Sequence, residues 1–97
     1  LIGDFNSTSP FATNGYKNDK TMEYIFNEPG IGSAIGKEQY LQNEKEYFTF
    51  SSGEPTDKID YIFYNKNKIS PVAGKVLKSA GQISDHIPVL FQFNFVK

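Results

Sequence analysis

Five side chains concentrate the chemistry in this sequence: Asp4, Asn6, Asp60, Asp85 and His86. His86 is the only histidine, set in Ile83-Ser84-Asp85-His86-Ile87-Pro88-Val89. An imidazole beside a carboxylate can move protons and contact phosphate near neutral pH. An Asp-His pair alone is most often just a hydrogen-bonded loop, so its neighbours decide.

In Gly3-Asp4-Phe5-Asn6 a carboxylate and a carboxamide alternate at a strand end, which predicts that both project to one side. Alone, this pattern more often marks an ordinary turn. Asp60 stands inside the apolar segment Ile59-Asp60-Tyr61-Ile62-Phe63-Tyr64, on the face that carries Ile62 and Tyr64. A carboxylate there is expected to be partly buried and to require a partner. The sequence offers one imidazole, His86; a lysine or a backbone amide is the alternative. Pro88 keeps the residue before it extended and leads into a final strand. Two strand ends and a buried acid thus bring the five residues to one sheet edge, the outline of a metal-assisted phosphoester site.

The elements that must position them follow from pattern. Leu1-Ile2-Gly3-Asp4 reads as the end of a strand that began earlier, so the natural protein is expected to extend upstream. Residues 7–16, with Ser9-Pro10 and Asn14-Gly15, are expected to be irregular. Asn18 or Asp19 can cap a helix running to about Asn27, with Met22, Ile25 and Phe26 on one face and Pro29-Gly30 as its stop. Gly30, Gly32 and Gly36 do not match a dinucleotide-binding loop, because the spacing is wrong and a helix stands where a strand is required. Residues 30–45 are expected to form a surface loop with a helical turn. From Tyr47 the period becomes two, predicting strands at Tyr47 to Phe50, Lys58 to Tyr64, Ile69 to Leu77 and Val89 to Val96. The third is expected to be bulged or edge-placed at Pro71. In the fourth, Val89, Phe91, Phe93 and Phe95 share one strongly apolar face. The lengths suit a predominantly antiparallel or mixed sheet.

Composition excludes several functions. The 97 residues suffice for one small domain or part of one, and fifteen aromatics with nearly balanced charge mark a globular chain. All ten cations are lysine. The bidentate guanidinium fork that reads guanine edges is therefore absent, and a net charge of −1 provides no basic stripe for duplex nucleic acid. Without cysteine there are no disulfides, zinc–thiolate sites or thiol nucleophiles. No apolar run approaches the ~20 residues of a transmembrane helix.

Together, Gly3-Asp4-Phe5-Asn6, Ile59-Asp60-Tyr61-Ile62-Phe63 and Ser84-Asp85-His86-Ile87-Pro88-Val89, in this order and spacing, resemble the endonuclease/exonuclease/phosphatase superfamily. The resemblance covers the C-terminal portion of that domain, so residues 1–97 are expected to be a single partial domain. It implies an α/β class, the DNase I-like four-layered α/β sandwich. The family's N-terminal portion, which supplies an Asn and a metal-binding Glu, has no counterpart in these residues.

The implied activity is divalent-metal-dependent phosphoester hydrolysis. Asp4 would orient or deprotonate the attacking water, Asn6 and His86 would contact the phosphate, and Asp60 would orient His86. Asp85, with Asp4 and Asn6, would serve a hard cation, Mg²⁺ or Mn²⁺. The substrate is expected to be a phosphoester of a small molecule, a lipid headgroup or a nucleic acid. The lack of arginine leans away from duplex DNA. The alternative is an inactive fragment acting as a binding or self-associating module through an exposed sheet face bearing Phe91, Phe93 and Phe95.

Overall fold

The computed structural model describes residues 1–13, 20–80, 82 and 84–96. It is a mixed α/β arrangement of two antiparallel sheets and two helices. The strands are β1 (Ile2–Asp4), β2 (Ile31–Ser33), β3 (Asp60–Asn65), β4 (Ile69–Val76) and β5 (Val89–Phe95). The helices are α1 (Lys20–Asn27) and α2 (Lys37–Gln42). One sheet has the order β1-β3-β2, and the other is the β4-β5 hairpin pair.

Strand β3 is central because its two faces differ. Tyr61 and Phe63 are buried on one face, whereas Asp60, Ile62 and Tyr64 on the other are half-buried. The buried face is covered by α1, whose Met22 joins Tyr61 and Phe63 in a cluster edged by Phe5, Ile25, Phe26 and Ile31. Phe26 meets Tyr61 and Phe63 edge-on, at centroid distances of 5.9 and 5.5 Å. Such pairs add stabilisation beyond the area they bury. The expected cap at Asn18 or Asp19 and the Asn14-Gly15 turn lie outside the described residues. Its end behaves as expected: the Glu28 amide donates to the Ile25 carbonyl and the Ile31 amide to that of Glu28, so Pro29-Gly30 turns the chain into β2.

A second cluster, Ile35, Tyr40, Val76 and Ile87, ties α2 to β4 and to the segment before β5. Here β4 passes close to the chain after β2. A Cβ on Gly74 would lie 2.0 Å from the Ala34 carbonyl oxygen, so only glycine fits.

Two expectations from the sequence are corrected. Residues 30–45 are not simply a surface loop, since Ile31–Ser33 pairs with β3 (Ile31 opposite Asn65, Ser33 opposite Phe63) and Ile35 and Tyr40 are core residues. The glycines hid this strand. Gly32 lets the Tyr64 ring lie over the strand, 2.3 Å from where a Cβ would stand. Nor is Tyr47 to Phe50 a strand. Glu44–Tyr47 is a 3-10 turn, and only Phe50 makes single bridges, to Asp57 and His86. Consecutive residues Tyr47 and Phe48 both pack on the second cluster, which a strand of period two cannot do.

The other strands form close to their expected limits. β4 carries a register shift between Pro71 and Ala73, where proline cannot donate to the ladder. The Asn65–Lys68 turn is closed by the Lys68 amide on the Asn65 carbonyl and by the Asn67 amide on the Asn65 side chain. Along β5, Phe91 stacks on Tyr64 at 5.1 Å and on Phe93 at 5.3 Å, but cover fades outward to Phe95, which is 75% exposed.

Candidate functional site

The register of β1 on β3 sets the site. Asp4 stands directly opposite Asp60, and the Phe5 amide continues the ladder onto the Ile59 carbonyl. Like charges directly across an antiparallel pair repel. A proton donor or cation is therefore favoured between them, and the chain places an imidazole there. His86 Nδ1 lies 2.7 Å from Asp60 Oδ2, and its Nε2 lies 3.6 Å from Asp4 Oδ2 and 4.0 Å from Asp85 Oδ1.

The hydrogen bond that His86 donates to Asp60 raises the His86 pKa above its ordinary value; partial burial opposes this, and the Asp60, Asp4 and Asp85 charges add to it. Asp60 is the shielded member, with a side chain 20% exposed, while Asp85 at 77% sits on the rim. The Phe50 ring lies against the imidazole, at 4.9 Å between centroids.

Asn6 does not continue the alternation of β1. The strand ends at Asp4, Asn6 has φ 49°, and its amide donates to Asp4 Oδ1 at 2.8 Å. Asparagine tolerates this left-handed conformation better than most residues. The turn fixes the Asp4 carboxylate, and the buried Ser7, Thr8 and Ser9 carry the chain inward behind it.

The backbone around the Asp60–His86 pair is held by residues that sequence reasoning did not assign. Thr49, with no exposed surface, accepts at Oγ1 from the Ile59 and Asp60 amides at 3.1 and 3.3 Å. Its carbonyl accepts from the Ile87 amide at 2.7 Å. Lys58, 4% exposed, donates through Nζ to the Asp60 carbonyl and lies 4.0 Å over the Tyr61 ring. Burial pushes the Lys58 ammonium down to about 7, with the Asp60 charge opposing. Tyr61 donates its hydroxyl to the Lys58 carbonyl at 2.9 Å. The one signal in the sequence was a lysine leading into an otherwise apolar strand. On the His86 side, the Ser52 amide donates to the Asp85 carbonyl and the Ser52 hydroxyl to the Ser84 carbonyl.

Among the described residues, Asp4, Asp60 and His86 form a group that could hold a metal ion, their ligand atoms all lying within 4.8 Å of one another. A cavity of about 340 Å³ opens beside them, walled by Ile2, Ile62 and Val89. Comparison with models of protein families, with curated proteins and with solved structures finds no match. No helix among the described residues is long and apolar enough to cross a membrane.

Proposed function

We propose that these residues form the phosphate-handling wall of a divalent-metal-dependent phosphoesterase of the endonuclease/exonuclease/phosphatase type, within a DNase I-like four-layered sandwich. The observation that carries the reading is the His86–Asp60 contact with Asp4 facing the other imidazole nitrogen. In hydrolysis, a water oxygen bonds to phosphorus while the bond to the leaving oxygen breaks. Asp4 orients that water and takes its proton. His86, held as an imidazolium by Asp60, donates from Nε2 to the phosphoryl oxygens, where negative charge gathers. Asn6 adds an amide contact to the phosphate.

The donor set fits a hard divalent cation. Of the group Asp4, Asp60 and His86, whose ligand atoms lie within 4.8 Å of one another, Asp60 is engaged by Nδ1; Asp4, with Asp85 and the Asn6 amide as the further oxygen donors of this proposal, would hold Mg²⁺ or Mn²⁺. Bound there, such an ion would supply further positive charge to offset the phosphoryl oxygens. The test is hydrolysis of bis(p-nitrophenyl) phosphate by the full-length protein with Mg²⁺. His86→Ala and Asp4→Ala are each expected to lower kcat/KM about 100- to 10,000-fold. Wild-type rates in both variants would sink the proposal.

A second reading, a binding or self-associating module, is favoured by the exposed apolar side chains Val72, Phe93, Phe95 and Val96. Sedimentation at micromolar concentration decides it. A well-behaved monomer argues against it.

A further inference from the structure

Asp60 and His86 lie 26 residues apart, at the start of β3 and before β5, strands that belong to different sheets. One residue is bonded to both segments. Thr49 uses three polar groups on two stretches of chain: its amide donates to the Asp57 carbonyl at 2.9 Å and its hydroxyl oxygen accepts from the Ile59 and Asp60 amides, while its carbonyl accepts from the Ile87 amide. The Asp60 amide and the amide following His86 are thereby referred to one fixed point.

We infer that Thr49 is a positioning residue, which sets the distance and angle between the Asp60 carboxylate and the His86 imidazole. Threonine suits this task because branching at Cβ leaves few χ1 choices, and full burial removes the freedom that remains. Serine keeps the oxygen but loses the methyl. Valine keeps the shape but removes the acceptor of one buried and one part-buried amide. Thr49 touches no substrate in this arrangement; it acts through Asp60. Its consequence for turnover rests on the phosphoesterase reading, but its effect on the pair does not.

The experiment is proton NMR of the wild type, Thr49→Ser and Thr49→Val. His86 is the only histidine, so a single downfield Nδ1–H resonance reports its bond to Asp60. Thr49→Ser is expected to keep that resonance, and Thr49→Val to lose it or move it upfield while the Met22 and Ile35 methyl signals stay dispersed. An unchanged resonance in folded Thr49→Val overturns the assignment. If the valine variant does not fold, amide exchange in the wild type decides. The Ile59, Asp60 and Ile87 amides are expected to share one denaturant dependence. Exchange of the Asp60 amide at the rate of an open strand end, with the downfield proton intact, refutes the role.

Where the wild type hydrolyses bis(p-nitrophenyl) phosphate, Thr49→Val is expected to lower kcat about 10- to 100-fold with little change in KM, and Thr49→Ser to restore most of it. Equal kcat in Thr49→Val and wild type defeats the inference while leaving the phosphoesterase reading standing. A wild type without activity defeats that reading, and the resonance still decides Thr49.

Discussion

The corner around Asp60 and the outer run of β5 handle the same problem in opposite ways. Both interrupt or extend an apolar strand pattern, yet around Asp60 each buried polar group is tied to a partner, whereas Phe93 and Phe95 face water at the outer end of a ladder of rings that begins at Phe91. Burial makes the difference. Where a face is covered, an unpaired polar atom is costly and the chain must supply a partner, which rigidifies the site. Where a face is open, an aromatic ladder tolerates imperfect cover.

This contrast can be broken by substitution. The largest expected effect is on activity: Asp60→Asn leaves the shape of the corner but offers His86 a neutral partner, and kcat/KM for phosphodiester hydrolysis is expected to fall about 100-fold or more. Activity close to wild type would place Asp60 among purely structural groups. Tyr61→Ala removes a fully buried ring from the first cluster and is expected to cost about 3–5 kcal/mol in urea unfolding. Its counterpart on the open face, Phe95→Ala, is expected to stay within about 0.5 kcal/mol. Comparable costs at the two positions would show that the outer ladder is covered in solution.

A smaller effect probes the close approach of β4. Gly74→Ala drives a methyl against a backbone carbonyl that cannot swing aside and is expected to cost about 1–3 kcal/mol, more than Gly32→Ala, whose neighbour is the movable Tyr64 ring. The reverse order in chemical denaturation would contradict this packing.

The finest test is the pH dependence of stability, where two groups of the polar corner pull in opposite directions. Lys58, which packs on the Tyr61 ring and beside Asp60, has a pKa of about 7 in the folded chain. Above that value the unfolded state, with an ordinary lysine, binds more protons, so its contribution makes stability rise with pH from about 7 towards ~10. His86 acts oppositely: its folded pKa is raised, so its contribution is full below ~6.5 and is lost as pH rises through the folded value. Urea midpoints between pH 5.5 and 10 are expected to lose the rising limb in Lys58→Met and the falling limb in His86→Gln. A Lys58→Met profile parallel to wild type would mean that the Lys58 amine titrates normally.

Much of the frame was legible in the residues. Period-two patterns located β3, β4 and β5, Pro71 marked the irregularity in β4, and Pro29-Gly30 marked the end of α1. Partial burial of Asp60 was legible from one acid in an apolar strand, but its pairing with His86 was one of two open outcomes, a lysine or a backbone amide being the other. Strand β2 was not legible, because Gly30-Ile31-Gly32 has little strand character of its own. It pairs because β3 presents an edge and because Tyr64 needs a glycine beneath it.

What the sequence alone determined is local: the residue types able to do acid–base and phosphate chemistry, and the periodicity that puts most of them at strand ends. Only the tertiary structure decided the Asp4-opposite-Asp60 register, the turn that ends β1 before Asn6, the burial of Lys58 against Asp60, and the joining of the Asp60 and His86 segments through buried Thr49. The reason is that a register or a buried hydrogen bond depends on two distant stretches at once. A lysine or threonine reads as ordinary surface chemistry until the other stretch encloses it.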